Sequence, residues 1–230
     1  MHLIRNTAHA GVQAARLGRI ALLLAALAVI AYLAGRQMEG NSRIYAYFIC
    51  YLLISLVSIA AGRWLNYWVG DLGEKRLLEK LRTLNDDYTV IANWQPPGEK
   101  RGDVDFIVLG PHGALALECK KFSTKFGCDG DFWYTLYDSG YKKRIKSLSS
   151  QTRGHVKCIQ RYLKRAGVSG SVEGLLVFSN LRLGKFENPT VRICEADDVV
   201  STIHSLPRTG RIEAHLFSEA SCHLGWAEAP

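Results

Sequence analysis

Several widespread catalytic motifs are missing from this chain of 230 residues. It contains neither the GxxxxGK loop nor the GxGxxG loop that binds nucleotide phosphates, and it has no GxSxG turn for a serine nucleophile. Its seven histidines form no HExxH pair. These absences exclude kinases, nucleoside triphosphatases, dehydrogenases and hydrolases of the common types.

Closely spaced cysteine pairs are missing too. The six cysteines include no CxxC pair, and Cys50 and Cys119 lie inside apolar segments. This pattern excludes a disulfide framework and a structural zinc site, and it agrees with a reducing cytoplasm. His155 and Cys158 are three residues apart, which we interpret as the surface and the core of a helix rather than as metal ligands.

Two long apolar runs lie near the start of the chain. Ile20–Gly35 has 16 uncharged residues and Ile44–Gly62 has 19. A membrane-spanning helix needs about 20 mostly apolar residues, with a lower limit of about 17. Neither run has a polar face, so we predict a transmembrane hairpin with spans at about 17–35 and 44–62. A cleaved signal peptide is the alternative for the first run, which follows a basic leader.

The charges that flank these runs predict the orientation of the hairpin. Arginines precede the first run, and arginine and lysine follow the second, whereas the short loop has two arginines offset by Glu39. The positive-inside rule places both termini in the cytoplasm. We therefore expect a multi-pass protein of a bacterial-type inner (cytoplasmic) membrane, with its soluble domain in the cytoplasm.

The runs also divide the chain into segments. The 168 residues from position 63 onward are enough for one domain with its own core. We expect a cytoplasmic leader at 1–16, the transmembrane hairpin at 17–62, a linker at 63–72, a globular domain at 73–206 and a C-terminal tail at 207–230.

A hairpin with few charges lies at the centre of the predicted domain. Two apolar strands, beginning at Asp105 and ending at Lys120, are joined by a Gly-Pro-His-Gly turn. With a two-residue loop, Asp105 faces Glu118, and Lys120 lies on the same face two residues further on. A bulge at Gly113 would shift this register. Charges are rare in buried strands unless they have a partner or a function, so the pattern indicates a site.

The residue types at this site favour metal-dependent hydrolysis. Two carboxylates can bind a hard divalent cation, and a neighbouring lysine can position or deprotonate a water. Asp103 is two residues from Asp105 and is the alternative ligand. On a predicted helix at 73–84, Glu74 lies on the apolar face, where it either caps the helix or faces the site.

The remaining periodicity completes a mixed α/β pattern. A strand is predicted at 88–94, a strand or hairpin at 127–136, and a helix at 148–166 with Gln151 in its first turn. Two short strands and a helix at 197–206 follow. The order predicts a mixed β-sheet flanked by helices and preceded by two transmembrane α-helices.

Basic residues in the predicted soluble part are clustered although its net charge is only +4. One cluster is Lys142-Lys143-Arg144 with Lys146, and the other spans Lys157 to Arg165. Such clusters either contact phosphates or are solvated faces.

The order of a helix glutamate, a strand aspartate and a strand Glu-x-Lys resembles the PD-(D/E)xK phosphodiesterases, and more closely the nuclease-related domain (NERD). The similar segments are Gly73-Glu74, residues 104–110 and residues 113–120, with weaker similarity at Trp133 and Gln151. The resemblance covers about residues 70–180, and it implies a restriction-endonuclease-like fold for the domain at 73–206.

The resemblance also implies a role for each site residue. Asp105 and Glu118 would bind Mg²⁺ or Mn²⁺, and Lys120 would orient the attacking water and stabilise the charge that develops at phosphorus. Glu74 would support the metal through a water, and Gln151 would contact the metal shell or the substrate backbone.

Three functions follow as hypotheses. The first is a membrane-anchored, metal-dependent nuclease that hydrolyses nucleic acid, expected to be a DNA endonuclease, at the cytoplasmic face. The second is a catalytically silent adaptor of the same fold that binds nucleic acid or a protein. The third is a small membrane protein whose domain has a signalling or structural role.

Overall fold

A computed structural model of the chain describes residues 1–5, 9–95, 103–122, 124–179, 184–212, 217 and 227–228. The chain divides into two compact units, Ala8–Leu72 and a second unit of Met1–Thr7 together with Gly73–Pro230.

Two long helices account for the first unit. Helix α1 spans His9–Gln37, and helix α2 spans Gly40–Leu81 and continues into the second unit. Both have stretches long enough and apolar enough to cross a membrane, Gln13–Gln37 and Gly40–Leu81. Large apolar side chains such as Leu22, at 73% exposure, point away from the protein. Exposed apolar surface of this extent is typical of a helix that contacts a membrane or another protein rather than water alone.

A mixed seven-stranded sheet forms the centre of the second unit. Its order is β10-β8-β4-β3-β2-β1-β11, with antiparallel β2-β3-β4 pairs and parallel β4-β8, β8-β10 and β1-β2 pairs. These strands are β1 His2–Arg5, β2 Thr89–Trp94, β3 Val104–Gly110, β4 Gly113–Lys120, β8 Val172–Phe178, β10 Arg192–Glu195 and β11 Ala227–Glu228.

A smaller four-stranded sheet has the order β7-β6-β5-β9. Its strands are β5 Phe126–Asp129, β6 Phe132–Leu136, β7 Lys142–Arg144 and β9 Gly184–Glu187. One face of this sheet packs through Phe126, Cys128 and Trp133 against Phe178 at the end of β8.

Helices cover both faces of the large sheet. On one face lie the end of α2, through Leu77 and Leu81, and helix α4, Val199–His204. On the other face lies helix α3, Leu148–Arg165, through Ile159 and Leu163. The mixed α/β fold with flanking helices and two N-terminal apolar helices is therefore confirmed.

The element bounds differ from the predicted ones at three places. Residues 63–72, predicted as a linker, are helical, because α2 continues without a break from the apolar run to Leu81. Residues His2–Arg5 of the predicted leader pair with β2 as strand β1. In the predicted tail, Ile212 and Phe217 are buried in the core beneath α3 because both are apolar.

Candidate active site

The β3-β4 hairpin has the predicted register. Phe106 faces Leu117 and Gly110 faces Gly113. Gly113 has a φ of +86° but does not shift the pairing. If this pairing is continued by one residue beyond Phe106 and Leu117, Asp105 lies opposite Glu118 at the end of the two strands.

The carboxylate of Asp105 is fixed at the end of this ladder. Its Oδ2 accepts a hydrogen bond of 2.8 Å from the backbone N–H of Cys119. Asp105 is the second residue of β3, whereas Asp103 precedes the strand. The hydrogen bond to the neighbouring strand distinguishes the two aspartates and favours Asp105 as the residue that belongs to the site.

Glu118 is the centre of the site and is only 1% exposed. Its Oε1 accepts a hydrogen bond of 2.6 Å from Gln151 Nε2 and also pairs with Lys120 Nζ. On the other oxygen, Oε2 lies 3.0 Å from His155 Nδ1 without the alignment of a full hydrogen bond. Three side chains from two elements therefore surround one buried carboxylate, as buried charges require.

Small residues on the sheet allow α3 to approach Glu118. The face of β4 and β8 beneath the helix includes Ala114, Ala116 and Gly174. A Cβ at position 174 would lie 2.8 Å from Cγ2 of Thr152 and 3.0 Å from Cγ2 of Val156. This small-residue face therefore packs against α3.

The first turn of α3 is fixed by two further hydrogen bonds. Ser147 caps the helix, since its Oγ accepts from the N–H of Ser150 at 3.1 Å. Trp133 in β6 donates from Nε1 to Ser149 Oγ at 2.9 Å, and both side chains are buried. Because this turn contains Gln151, the small sheet helps to position the amide that contacts Glu118.

Glu74 approaches the site from the opposite face of the sheet. Gly73 is close enough to β4 that a Cβ there would lie 3.7 Å from Cys119 Sγ. The charge of Glu74 contributes to raising the pKa of Asp105. All five predicted site residues therefore lie at one end of the β3-β4 hairpin.

The two carboxyl groups of the hairpin respond to this environment in opposite directions. Burial raises the pKa of Asp105 well above its usual range, and the negative charge of Glu118 adds to the shift. For Glu118, burial alone would raise the pKa, but the contact with His155 and the charge of Lys120 outweigh it and lower the pKa. The two carboxyl groups of the hairpin therefore differ in the direction of their pKa shifts, raised for Asp105 and lowered for Glu118.

The ammonium group of Lys120 is stabilised by the same charges. Burial alone would lower the pKa of Lys120, but the charges of Glu118 and Asp105 outweigh burial and raise the pKa. The side chain of Lys120 is 27% exposed, in contrast to the 1% of Glu118 with which it pairs. A lysine that keeps its proton is suited to orient a water and to stabilise developing negative charge.

The donor set fits a hard divalent cation with few protein ligands. Asp105 and Glu118 provide carboxylate oxygens, and the buried Oε2 of Glu118 has no hydrogen-bond partner among the described residues. No group of three or more His, Cys, Asp and Glu side chains in the described ranges is arranged as a metal cage. Mg²⁺ commonly binds through one or two carboxylates and keeps several waters.

His155 is the site residue that sequence reasoning missed. It was interpreted as a helix-surface residue, but it is only 14% exposed and faces Glu118. The available signal was its spacing from Gln151, because residues four apart lie on the same side of a helix.

A Glu-x-Lys at the end of a central strand, an aspartate on the paired strand and a glutamine from the covering helix match the pattern of the PD-(D/E)xK phosphodiesterases on a mixed α/β fold. Residues 69–179 match the family model of the nuclease-related domain, NERD. The chain is similar to this family over that segment, which includes all five predicted site residues. No curated protein and no solved structure gives a significant match to the chain.

Proposed function

We propose that this protein is a membrane-anchored, divalent-metal-dependent nuclease that hydrolyses phosphodiester bonds of nucleic acid, with DNA as the expected substrate. The observation that supports this most strongly is the group around Glu118. A carboxylate that is 1% exposed is held by an amide, an ammonium and an imidazole, with a second carboxyl group opposite. A purely structural ion pair does not need this second buried carboxyl group.

Asp105 and Glu118 are the proposed ligands of Mg²⁺ or Mn²⁺. When bound, such a cation polarises a phosphodiester oxygen and lowers the pKa of a bound water. The raised pKa of Asp105 means that ionisation of this residue accompanies binding of the cation.

The other residues act on the water and the substrate. Lys120 orients the attacking water through Nζ and stabilises the negative charge that develops on the phosphoryl oxygens. Gln151 holds Oε1 of Glu118 through its 2.6 Å hydrogen bond and thereby fixes the plane of the carboxylate. Glu74 supports the cation through a water, and His155 positions Oε2 of Glu118.

Membrane attachment is proposed from α1 and α2. Each of these helices contains an apolar stretch long enough to cross a bilayer. The flanking arginines and lysines favour a cytoplasmic location for the nuclease domain.

The test uses the full chain in detergent, because β1 at the N-terminus is part of the central sheet. Supercoiled plasmid is incubated with Mg²⁺, with Mn²⁺ or with chelator. We expect nicking that requires a divalent cation and that is lost in Lys120→Ala and Glu118→Gln.

Lys185→Ala is the matched control, because Lys185 is exposed on β9 and pairs with Glu187 at 3.0 Å, outside the site. It should cleave like the parent. If the parent nicks no DNA or RNA with either cation, the nuclease proposal is wrong. If Lys120→Ala cleaves as fast as the parent, the assigned site is wrong.

A further inference from the structure

Helix α3 is strongly basic in a way that its packing does not explain. Its 18 residues include five lysines and arginines and no aspartate or glutamate. One of the five, Arg153, pairs with Asp131 in the β5-β6 turn at 2.9 Å and is thus part of the fold. The other four lie further along the helix.

Three of these cations form a stripe. Lys157, Arg161 and Lys164 are spaced at four and three residues, so they lie along one side of α3 and all are exposed. Together with Gly154 and Gln160 they line a shallow groove of about 450 Å³. In the described part of the chain, no ion pair connects Lys157 or Lys164 to a carboxylate. Like charges at these spacings destabilise a helix, so the stripe has a cost that an anionic ligand would offset.

Gly154 lies at the end of the groove nearest the first turn of α3, on a different side of the helix from His155, since successive residues of an α-helix are turned by about 100°. Gly154 directly precedes His155, whose ring faces Glu118. From Gly154 the stripe extends away along the helix, and Lys157 to Lys164 covers about 10 Å at the usual rise per residue. One strand of a nucleic acid has about one phosphate per 3.4 Å of axis, so this length corresponds to about three phosphates.

We infer that the groove of Gly154, Lys157, Gln160, Arg161 and Lys164 binds the sugar-phosphate backbone of a nucleic acid strand. This inference rests on the proposed nuclease function and assigns the surface that holds the substrate. The contacts are charge to phosphate and do not read bases, so the binding is independent of sequence.

An anionic lipid surface is the competing ligand for a basic helix. Helices that bind lipid surfaces place large apolar side chains beside their lysines and arginines, and these insert between the lipids. The exposed residues of α3 are all polar or glycine: Ser150, Gly154, Lys157, Gln160, Arg161, Lys164 and Arg165. The composition of this face therefore favours a nucleic acid backbone.

The test measures binding separately from cleavage. A fluorescent oligonucleotide is titrated with the full chain in detergent, with chelator present, over a range of salt concentrations. The variant Lys157→Gln/Arg161→Gln/Lys164→Gln should bind at least tenfold more weakly. Its slope of log affinity against log salt should be smaller by about 2–3, because each lost phosphate contact contributes about 0.7–0.9.

The matched control removes the same charge from strand β7 as Lys142→Gln/Lys143→Gln/Arg144→Gln, since these three residues are also exposed. It should change the slope by less than the α3 variant does. An equal or larger change in the control would overturn the assignment to α3. Thermal unfolding should show the α3 variant to be at least as stable as the parent, because like charges were removed.

Two further arms separate this inference from its alternatives. Lys120→Ala should lose cleavage but keep most of the salt dependence of binding, because it removes one phosphate contact rather than three, so failure of cleavage and failure of binding are distinguishable. In nanodiscs, hydrogen exchange of α3 should slow when oligonucleotide is added. Protection by anionic lipid without nucleic acid, and none by oligonucleotide, would overturn the inference in favour of a lipid surface.

Discussion

Gln151 donates a hydrogen bond of 2.6 Å from Nε2 to Oε1 of Glu118, although the two residues are 33 positions apart in the chain. This bond joins helix α3 to strand β4 at the site's central carboxylate. It ties the orientation of that carboxylate to the position of α3.

Loss of this hydrogen bond should reduce catalysis without unfolding the protein. We expect Gln151→Ala to lower the initial rate of plasmid nicking by about 10–100-fold, the usual effect of removing a group that orients a metal ligand. Gln151→Glu should lower it further, because a second negative charge then faces Glu118. Asn85→Ala is the control. It removes an exposed amide from the turn that precedes β2, at the end of the strand away from the site, and should leave the rate unchanged.

His155 should affect the pH dependence of the reaction. Its contact with Glu118 helps to lower the pKa of that carboxyl group, so His155→Ala should raise this pKa. Glu118 then becomes protonated at a higher pH as the solution is acidified. The acidic limb of the pH-rate profile should therefore move to higher pH. His155→Asn places an amide nitrogen near the position of Nδ1. It should return the acidic limb to the pH at which it lies in the parent. A profile that is identical in the parent and in His155→Ala would contradict this role.

Asp105 should oppose folding at neutral pH. Its folded-state pKa is raised by burial and by Glu118, so above the unfolded-state value of about 3.8 the folded form binds more protons than the unfolded form. The contribution of Asp105 to the free energy of unfolding therefore decreases as the pH rises from the unfolded-state pKa to the folded-state pKa. Asp105→Asn should remove this decrease, keep an acceptor for the N–H of Cys119, and abolish cleavage.

Urea unfolding of the parent and of Asp105→Asn between pH 4 and pH 8 measures this effect. The free energy of unfolding of the variant, relative to that of the parent, should increase with pH. Mn²⁺ should raise the thermal midpoint of the parent but not that of the variant, since a ligand stabilises the fold only when it binds. A variant that is less stable than the parent throughout this range would show that Asp105 is a structural residue.

The close approach of α3 to the sheet should be needed for activity. In Gly174→Ala the new methyl group would lie 2.8 Å from Cγ2 of Thr152, and we expect a destabilisation of about 1–3 kcal/mol and slower cleavage. Adding Thr152→Ser removes that Cγ2 and keeps the hydroxyl that donates to Leu148 O, so it should restore most of both losses. Gly154→Ala, with nothing within 4 Å of the new Cβ, should stabilise α3 slightly.

The site hairpin could be predicted because its information is local. Alternating side chains and a two-residue loop fix the register between Asp105 and Glu118 as soon as the turn is recognised. The same holds for α3, whose apolar period predicted a helix at 148–166, close to the observed Leu148–Arg165. Gln151 was identified from a resemblance, and its bond to Glu118 depends on how closely the helix packs against Ala116 and Gly174.

The elements that the sequence did not predict depend on distant partners. The strand His2–Arg5 has too few residues for a pattern, and it forms only because β2, more than 80 residues later, provides a parallel edge. His155 looked like a surface residue because the helical period alone does not say which neighbour covers a polar side chain. Phe217 is buried beside Trp94, with ring centroids 5.6 Å apart, although the surrounding segment has no regular period.

The position of strand β1 restricts how many times the chain can cross a membrane. The residues before α1 and those after α2 are hydrogen-bonded neighbours in one sheet, so any membrane crossing between them has to be followed by a return. Two crossings satisfy this condition, whereas one would leave β1 and β2 on opposite sides of a bilayer. The backbone pairing of Leu3 with Val90 thus imposes an even number of crossings independently of loop charge. During synthesis, β1 has to remain without its partner until both helices have been made.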